Sequence, residues 1–256
     1  MDPEPFDPAA IEQAARAAPW VHRVVCLSET GSTNAEAMRL AASGEPAGLV
    51  VIADQQTAGR GRLGRTWWSE PGTALLVSWL LRPALPPERW PLLPLIAGLA
   101  AARGLGAAAH VEAKLKWPND VLVDGRKVGG ILAESDGRGA LVIGLGVNLR
   151  QREFPEELRD RATSVVAEGG TPVQRAWLLA AVLSGFGARM DAPERSMDEY
   201  RAMCETIGRR VRVEREGADP LEGSAVEITD GGALVVETDG GRVPVSAGDV
   251  AHLRPA

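Results

Sequence analysis

Only three lysines occur in the chain, Lys114, Lys116 and Lys127; every other basic side chain is arginine. Lysine does something arginine does not. Its compact ammonium sits as a point charge inside a small site and follows a developing negative charge. Lys116 opens the run Lys116-Trp117-Pro118-Asn119-Asp120, which places an aromatic ring, a proline, an amide and an acid directly beside the cation. The segment reads as part of an active site. Lys114 alone has no such setting.

A second cluster is Gly59-Arg60-Gly61-Arg62-Leu63-Gly64-Arg65. Its glycines satisfy the dinucleotide fingerprint literally, but that motif needs a helix after it and an acid about twenty positions on. Here Thr66-Trp67-Trp68-Ser69-Glu70-Pro71-Gly72 follows, a poor helix, and residues 80–83 contain no acid. No P-loop lysine follows either. What remains is a loop with three arginines and no acid between Asp54 and Glu70. Alternate glycines let backbone approach a ligand, and guanidiniums fork onto phosphate oxygens. Repulsion and glycine entropy predict a loop that orders on an anion. Trp67 is placed to stack on a base or to shield an intermediate from water.

Gly31-Ser32-Thr33-Asn34 gathers small polar side chains that suit a helix cap and can also present hydroxyls and an amide to a neutral polar ligand. Gly144-Leu145-Gly146-Val147-Asn148 ends an apolar strand, with Asn148 able to read an adenine edge or simply to end the strand in a turn. Gly129-Gly130 suggests close backbone approach. His22, His110 and His252 share no spacing, and Cys26 and Cys204 form no metal-type pair, so no metal site is expected and both thiols are expected buried and reduced. No Gly-x-Ser-x-Gly elbow offers an acyl-enzyme nucleophile.

The elements that must carry these residues follow from hydrophobic pattern and turn chemistry. Helices are expected over 8–17, from a capping box at Thr33 and Glu36 to about Gly44, over 92–109, from Thr171-Pro172, and from a second box at Ser196 and Glu199 to about Ile207. Strands are expected over 22–27, 48–53, 73–81, 111–116, 120–123, 128–134 and 140–147, with a hairpin turn at Asp124-Gly125. Five short strands with glycine turns after Gly208 predict a small barrel or curled sheet. The fold class is α+β: a mixed sheet with flanking helices over 20–207, then a barrel-like unit over 208–256.

At 256 residues with 45% apolar content the chain can bury a sizeable core, and its net charge of −6 argues against a dedicated nucleic-acid binder. The acidic, Pro-rich start lacks a signal peptide's features, and the most apolar run, 92–102, is too short to span a bilayer. The expected setting is the cytoplasm.

Taken in order, Ser32-Thr33-Asn34, Gln56 through Arg62, Trp67, Lys116 through Asp120, Gly129-Gly130-Ile131-Leu132 and Gly144 through Asn148 closely resemble the biotin protein ligases. Gly248 through Leu253 resembles that family's SH3-like C-terminal domain, so the likeness covers about 20–254. The resemblance implies a catalytic domain like that of class II aminoacyl-tRNA synthetases. It also implies attack of biotin on ATP to give biotinyl-5′-adenylate, then transfer to a lysine of a biotin carboxyl carrier domain. By resemblance Lys116, Arg60 and Arg62 are catalytic. Ser32, Thr33, Asn34, Gln56, Arg60, Gly61, Arg62, Lys116 and Gly130 would meet biotin. Gly59, Arg60, Arg62, Arg65, Trp67, Lys116, Asn119, Lys127 and Asn148 would meet ATP or the adenylate, with Asn119 and Lys127 near the triphosphate and its Mg2+. Bifunctional members carry an N-terminal helix-turn-helix; here the pattern starts by about residue 20, which predicts a ligase without DNA binding, as monomer or homodimer. A lipoate or octanoate ligase shares the fold but has no need of the polar Ser-Thr-Asn cluster. A non-catalytic biotin or nucleotide sensor would not need both Lys116 and the arginines.

Overall fold

The structure, a computed structural model, describes residues 3–215 and 217–253. Seven strands, β1 (Arg23–Thr30), β2 (Leu49–Gln56), β3 (Ala74–Leu81), β4 (Ala113–Lys116), β5 (Asp120–Val123), β6 (Arg126–Ser135) and β7 (Leu141–Asn148), form one sheet in the order β1-β2-β3-β7-β6-β5-β4. Only β1 and β2 are parallel, and they are joined by the crossover helix α2 (Thr33–Ala42), as a parallel pair requires. Helices α1 (Pro8–Arg16), α3 (Leu92–Ala109) and α4 (Arg175–Gly187) pack on one face and α2 on the other. Every residue of β3 is buried, which explains its unbroken apolar run.

Helix α3 is apolar all round because it lies between the sheet and α4. It continues the one stretch among the described residues that is long and apolar enough to cross a membrane, and most of that stretch is buried inside the protein. After α5 (Met197–Met203) come β8 (Arg210–Arg215), β9 (Ala218–Ile228), β10 (Leu234–Thr238), β11 (Gly241–Val245) and β12 (Asp249–His252). They form an antiparallel sheet in the order β11-β10-β9-β8-β12. The expected α+β class, with a mixed sheet, flanking helices and a small C-terminal sheet unit, is the class observed.

Buried bonds tie the two sheets together. Trp117 Nε1 donates to the Gly232 carbonyl at 2.9 Å, Trp117 N–H donates to Thr206 Oγ1 at 3.1 Å, and Glu205 N–H donates to the Leu115 carbonyl at 2.8 Å.

Four local expectations need correction. Ser32, not Thr33, caps α2, accepting from Ala35 N–H, while Glu36 pairs with Arg39 instead of reaching back. Helix α4 begins at Arg175 rather than Thr171-Pro172, because residue 174 is still extended and a carboxylate from the N-terminal segment meets the Arg175 N–H. Helix α5 stops at Met203, since Cys204 is extended and bridges to Leu115, and Glu199 pairs with Arg103 and Arg189 instead of forming a capping box. Cys26 is only half-buried, on the edge strand β1.

Candidate active site

Strand register builds the floor of the site. Ala53 stands opposite Leu76, Leu76 opposite Gly146, Gly146 opposite Gly130, Gly130 opposite Asp120, and Asp120 opposite Lys116. Directly opposed residues share a face. Lys116 and Asp120 therefore end a row whose middle, Gly130 and Gly146, has no side chains. The Trp67 indole lies in that gap: a Cβ on Gly146 would come within 2.6 Å of the ring, and one on Gly130 within 3.1 Å. Trp67 Nε1 is buried there with no hydrogen-bond partner, and Lys127 Nζ stands 5.8 Å from the centre of the ring.

The neighbouring row runs Val51, Ser78, Gly144, Leu132. Asn34 stands over Gly144, where a Cβ would meet Asn34 Oδ1 at 2.1 Å. Asn34 Nδ2 donates to the Leu132 carbonyl at 3.1 Å and to Glu134 Oε2 at 2.7 Å. Thr33 N–H and Oγ1 both donate to Gln56 Oε1, at 2.7 and 3.0 Å. Ser78 Oγ lies 2.7 Å from Thr33 Oγ1 and 2.6 Å from Asn34 Oδ1. The sequence-predicted cluster of Ser32, Thr33, Asn34 and Gln56 is thus one place in space. Ser78 and Glu134 complete it and were missed. Ser78 had a signal: a lone hydroxyl in a fully buried strand must find a partner.

The arginine loop closes on itself. Arg60 bridges to Thr66, Gly61 N–H donates to the Arg65 carbonyl at 2.7 Å, and Trp67 N–H donates to the Gly59 carbonyl at 3.0 Å. Gly59 has no room for a side chain, since a Cβ would meet the Trp67 carbonyl at 2.6 Å. The guanidiniums fan apart, each onto a different acceptor. Arg60 pairs with Glu134 at 3.0 Å, and Arg65 pairs with Asp249 at 2.7 Å. Arg62 donates to the Gly248 carbonyl at 3.0 Å and to Asn119 Oδ1 at 3.4 Å. Burial weakens the hold of Arg62 on its proton.

Lys116 Nζ, by contrast, makes no hydrogen bond or ion pair with any described residue. Burial pushes its pKa below the usual lysine range; Asp120 and Asp249 pull it back up, while Lys127 and Arg65 push it further down. An arriving anion would favour the charged form. Lys127 Nζ lies 2.5 Å from Asp120 Oδ1 as a charge pair, without an aligned hydrogen bond. Asn148 is buried, donating to the Thr163 carbonyl and accepting from Gln151 Nε2, both at 3.0 Å. These two bonds hold the end of β7.

A cavity of about 810 Å³ opens beside the loop, lined by residues 57–66, 117–119 and 131–134, the start of α3, and Gly232, Ser246 and Ala247 of the small sheet. That volume is in the range of small-molecule and cofactor sites. Among the described residues no group of three or more His, Cys, Asp or Glu side chains could hold a metal.

The model of the biotin/lipoate A/B protein ligase family matches residues 26–148, and that of the biotin protein ligase C-terminal domain matches residues 206–253. The biotin–[acetyl-CoA-carboxylase] ligase of Mycobacterium tuberculosis is 41% identical over 237 residues, 89% of this chain and 88% of its own length. The chain belongs to the biotin protein ligase family. The biotin–[acetyl-CoA-carboxylase] ligase of Paracoccus denitrificans is 35% identical over 240 residues, covering 88% of this chain and 98% of that protein. Among solved structures, the biotin protein ligase from Aquifex aeolicus in complex with biotin and ATP has a TM-score of 0.78 at 31% identity, covering 91% of this chain and 99% of that one. The fold shared with these ligases is the class II aminoacyl-tRNA-synthetase-like fold, and the glycine floor and arginine loop described above sit within the span that the catalytic family model matches.

Proposed function

We propose that this protein is an ATP-dependent biotin protein ligase whose chemistry is organised by the Lys116 end of the glycine floor. The observation that carries the reading is an unpartnered ammonium at the end of a glycine floor that Trp67 covers, beside a loop of three arginines and a hydrogen-bonded polar cluster. In the first step a biotin carboxylate oxygen attacks the α-phosphorus of ATP, the bond to the β-phosphate breaks, and pyrophosphate leaves. In the second a carrier lysine amine attacks the acyl carbon, the bond to AMP breaks, and an amide forms. Both steps gather negative charge on oxygen, so positioning and electrostatic stabilisation supply most of the acceleration.

Lys116 meets the carboxylate and α-phosphate. Arg60, Arg62 and Arg65 exchange protein acceptors for phosphate oxygens, with Gly59 and Gly61 letting the backbone close in. The Ser32, Thr33, Asn34 and Gln56 cluster binds the ureido end of biotin, and Gly130 offers its backbone to the ligand. Trp67 covers the adenylate and keeps water from the mixed anhydride. ATP enters as its Mg2+ complex. Asn119 and Lys127, the latter in a charge pair with Asp120, lie near the triphosphate and its Mg2+, an ion held largely by phosphates and water. The catalytic unit is taken as 20–207 and the SH3-like unit as 208–256. The protein acts as a monomer or a homodimer. The acceptor is a biotin carboxyl carrier domain. ATP dependence and two unpaired cysteines suit the cytoplasm.

The test is biotin-dependent ATP–pyrophosphate exchange, with lipoate and octanoate in parallel. Exchange with biotin that disappears in Lys116→Ala is expected. Exchange with lipoate instead moves the protein to the sister activity, and biotin binding without any exchange leaves a sensor and removes the mechanism.

A further inference from the structure

Arg175 is 1% exposed, yet no step above uses it. Its Nη1 donates to Asp54 Oδ1 at 2.5 Å and its Nη2 to the Glu4 carbonyl at 2.8 Å, while the Phe6 ring lies 5.3 Å away. Its backbone N–H, the first of α4, donates to both Glu4 carboxylate oxygens at 3.1 Å. Gln174 makes no cap bond, so a side chain from another segment caps this helix.

The same network grips the end of the arginine loop. Asp54 Oδ1 also accepts from Gly72 N–H at 3.1 Å, and Glu4 N–H donates to the Gly72 carbonyl at 3.0 Å. Gly72 is thus held from both sides. Its φ of +73° and the 2.7 Å that a Cβ would have to Pro3 make glycine obligatory here. One residue on, the Thr73 carbonyl accepts from Leu149 and Arg150 N–H, each at 2.9 Å. The ends of β2, β3 and β7 therefore meet at one buried cation. Asp54 lies two residues before Gln56, and Arg150 two after Asn148.

A guanidinium this deep is costly unless every partner is in place, and Arg175 Nε still lacks a hydrogen bond. What such a network does well is impose one geometry. The loop it borders needs that help, because glycines and like charges leave it many conformations.

We propose that the Glu4–Arg175–Asp54 network is the hinge anchor of the arginine loop, which makes residues 3–7 a positioning part of the active site. The proposal rests on the ligase reading for its chemical consequence but not for its geometry. When the anchor is lost, the loop frays from Gly72 and Trp67 leaves the glycine floor.

The chain carries its own reporters, since trypsin cleaves after Arg60, Arg62 and Arg65. In the full-length protein, Asp54→Asn and Glu4→Gln are compared with wild type well below their melting temperatures. Nicking at the three loop bonds is followed by mass spectrometry, and leakage of biotinyl adenylate to biotin and AMP by chromatography. Expected is an increase in both on the order of ten-fold at a temperature well below the melting of either variant, alongside a lowered Tm. A lower Tm with loop nicking and adenylate leakage at wild-type values would assign the network to global stability and overturn the proposal. Glu4→Gln, on the half-buried arm, keeps the test decisive if Asp54→Asn does not fold. If wild type makes no adenylate, the ligase reading falls and nicking alone decides the hinge.

Discussion

At the scale of residues, the site depends as much on missing side chains as on present ones. Gly146 illustrates this, with the Trp67 indole where its Cβ would be. In Gly146→Ala the indole must move while the buried strand around it keeps its ladder. The expected outcome is an intact fold, a shifted Trp emission, and adenylate retention lowered by about ten- to a hundred-fold, the scale of a small misplacement at a reacting centre. Unchanged retention would mean that Trp67 does not guard the intermediate. Lys116 stood out in sequence as a rare residue type and the loop as three arginines among alternating glycines. Glu134 was not legible, because its partner Asn34 is 100 residues away, and the buried Arg175 needed a partner 121 residues away to make sense. The second role of Asn148 was not legible either: only the fold shows its amide tying the end of β7 to Thr163 and Gln151.

At the scale of elements, continuous apolar runs such as β3 and α3 revealed themselves, because burial on every side leaves nothing to alternate. Helix starts were harder. A cap supplied by the preceding residue, as at Ser32, shifts a boundary by one; a cap supplied from another segment, as Glu4 supplies α4, leaves no local signal. Strand β12 brings an acid, Asp249, to a loop that contains none. Asp249 helps keep the Lys116 proton on, second to Asp120 among the charges that raise its pKa. The ammonium form is the one that meets anions, so exchange activity should fall as pH rises through the Lys116 pKa. Removing an anion lowers that pKa, and in Asp249→Ala the alkaline limb of the exchange profile moves to lower pH. Stability should change by no more than about 1 kcal/mol, since the Arg65–Asp249 pair is largely exposed. An unmoved limb would place Asp249 outside the electrostatics of the site.

At the scale of the whole molecule, the two sheets meet along residues next to Lys116, and His252 stands in that seam with Nε2 3.2 Å from Thr206 Oγ1. Burial, then the charges of Lys116 and Arg209, push its pKa down to about 4. The folded value lies below the unfolded one, so the neutral ring favours the folded state above about pH 6.5, and that contribution is lost as pH falls toward 4. Half-buried, the group is worth about 1–2 kcal/mol after allowance for solvent screening. Melting followed from pH 7 to 4 should show His252→Gln losing less stability than wild type, and parallel curves would remove His252 from the seam's acid response. The lysine census has one more consequence. Lys114 is paired with Glu112, Lys127 with Asp120, and Lys116 is half-buried. An acyl phosphate anhydride that escapes reacts with free amines and ignores protonated guanidinium. By carrying almost all of its positive charge as arginine, the protein handles an acylating agent while offering few places for that agent to land on itself.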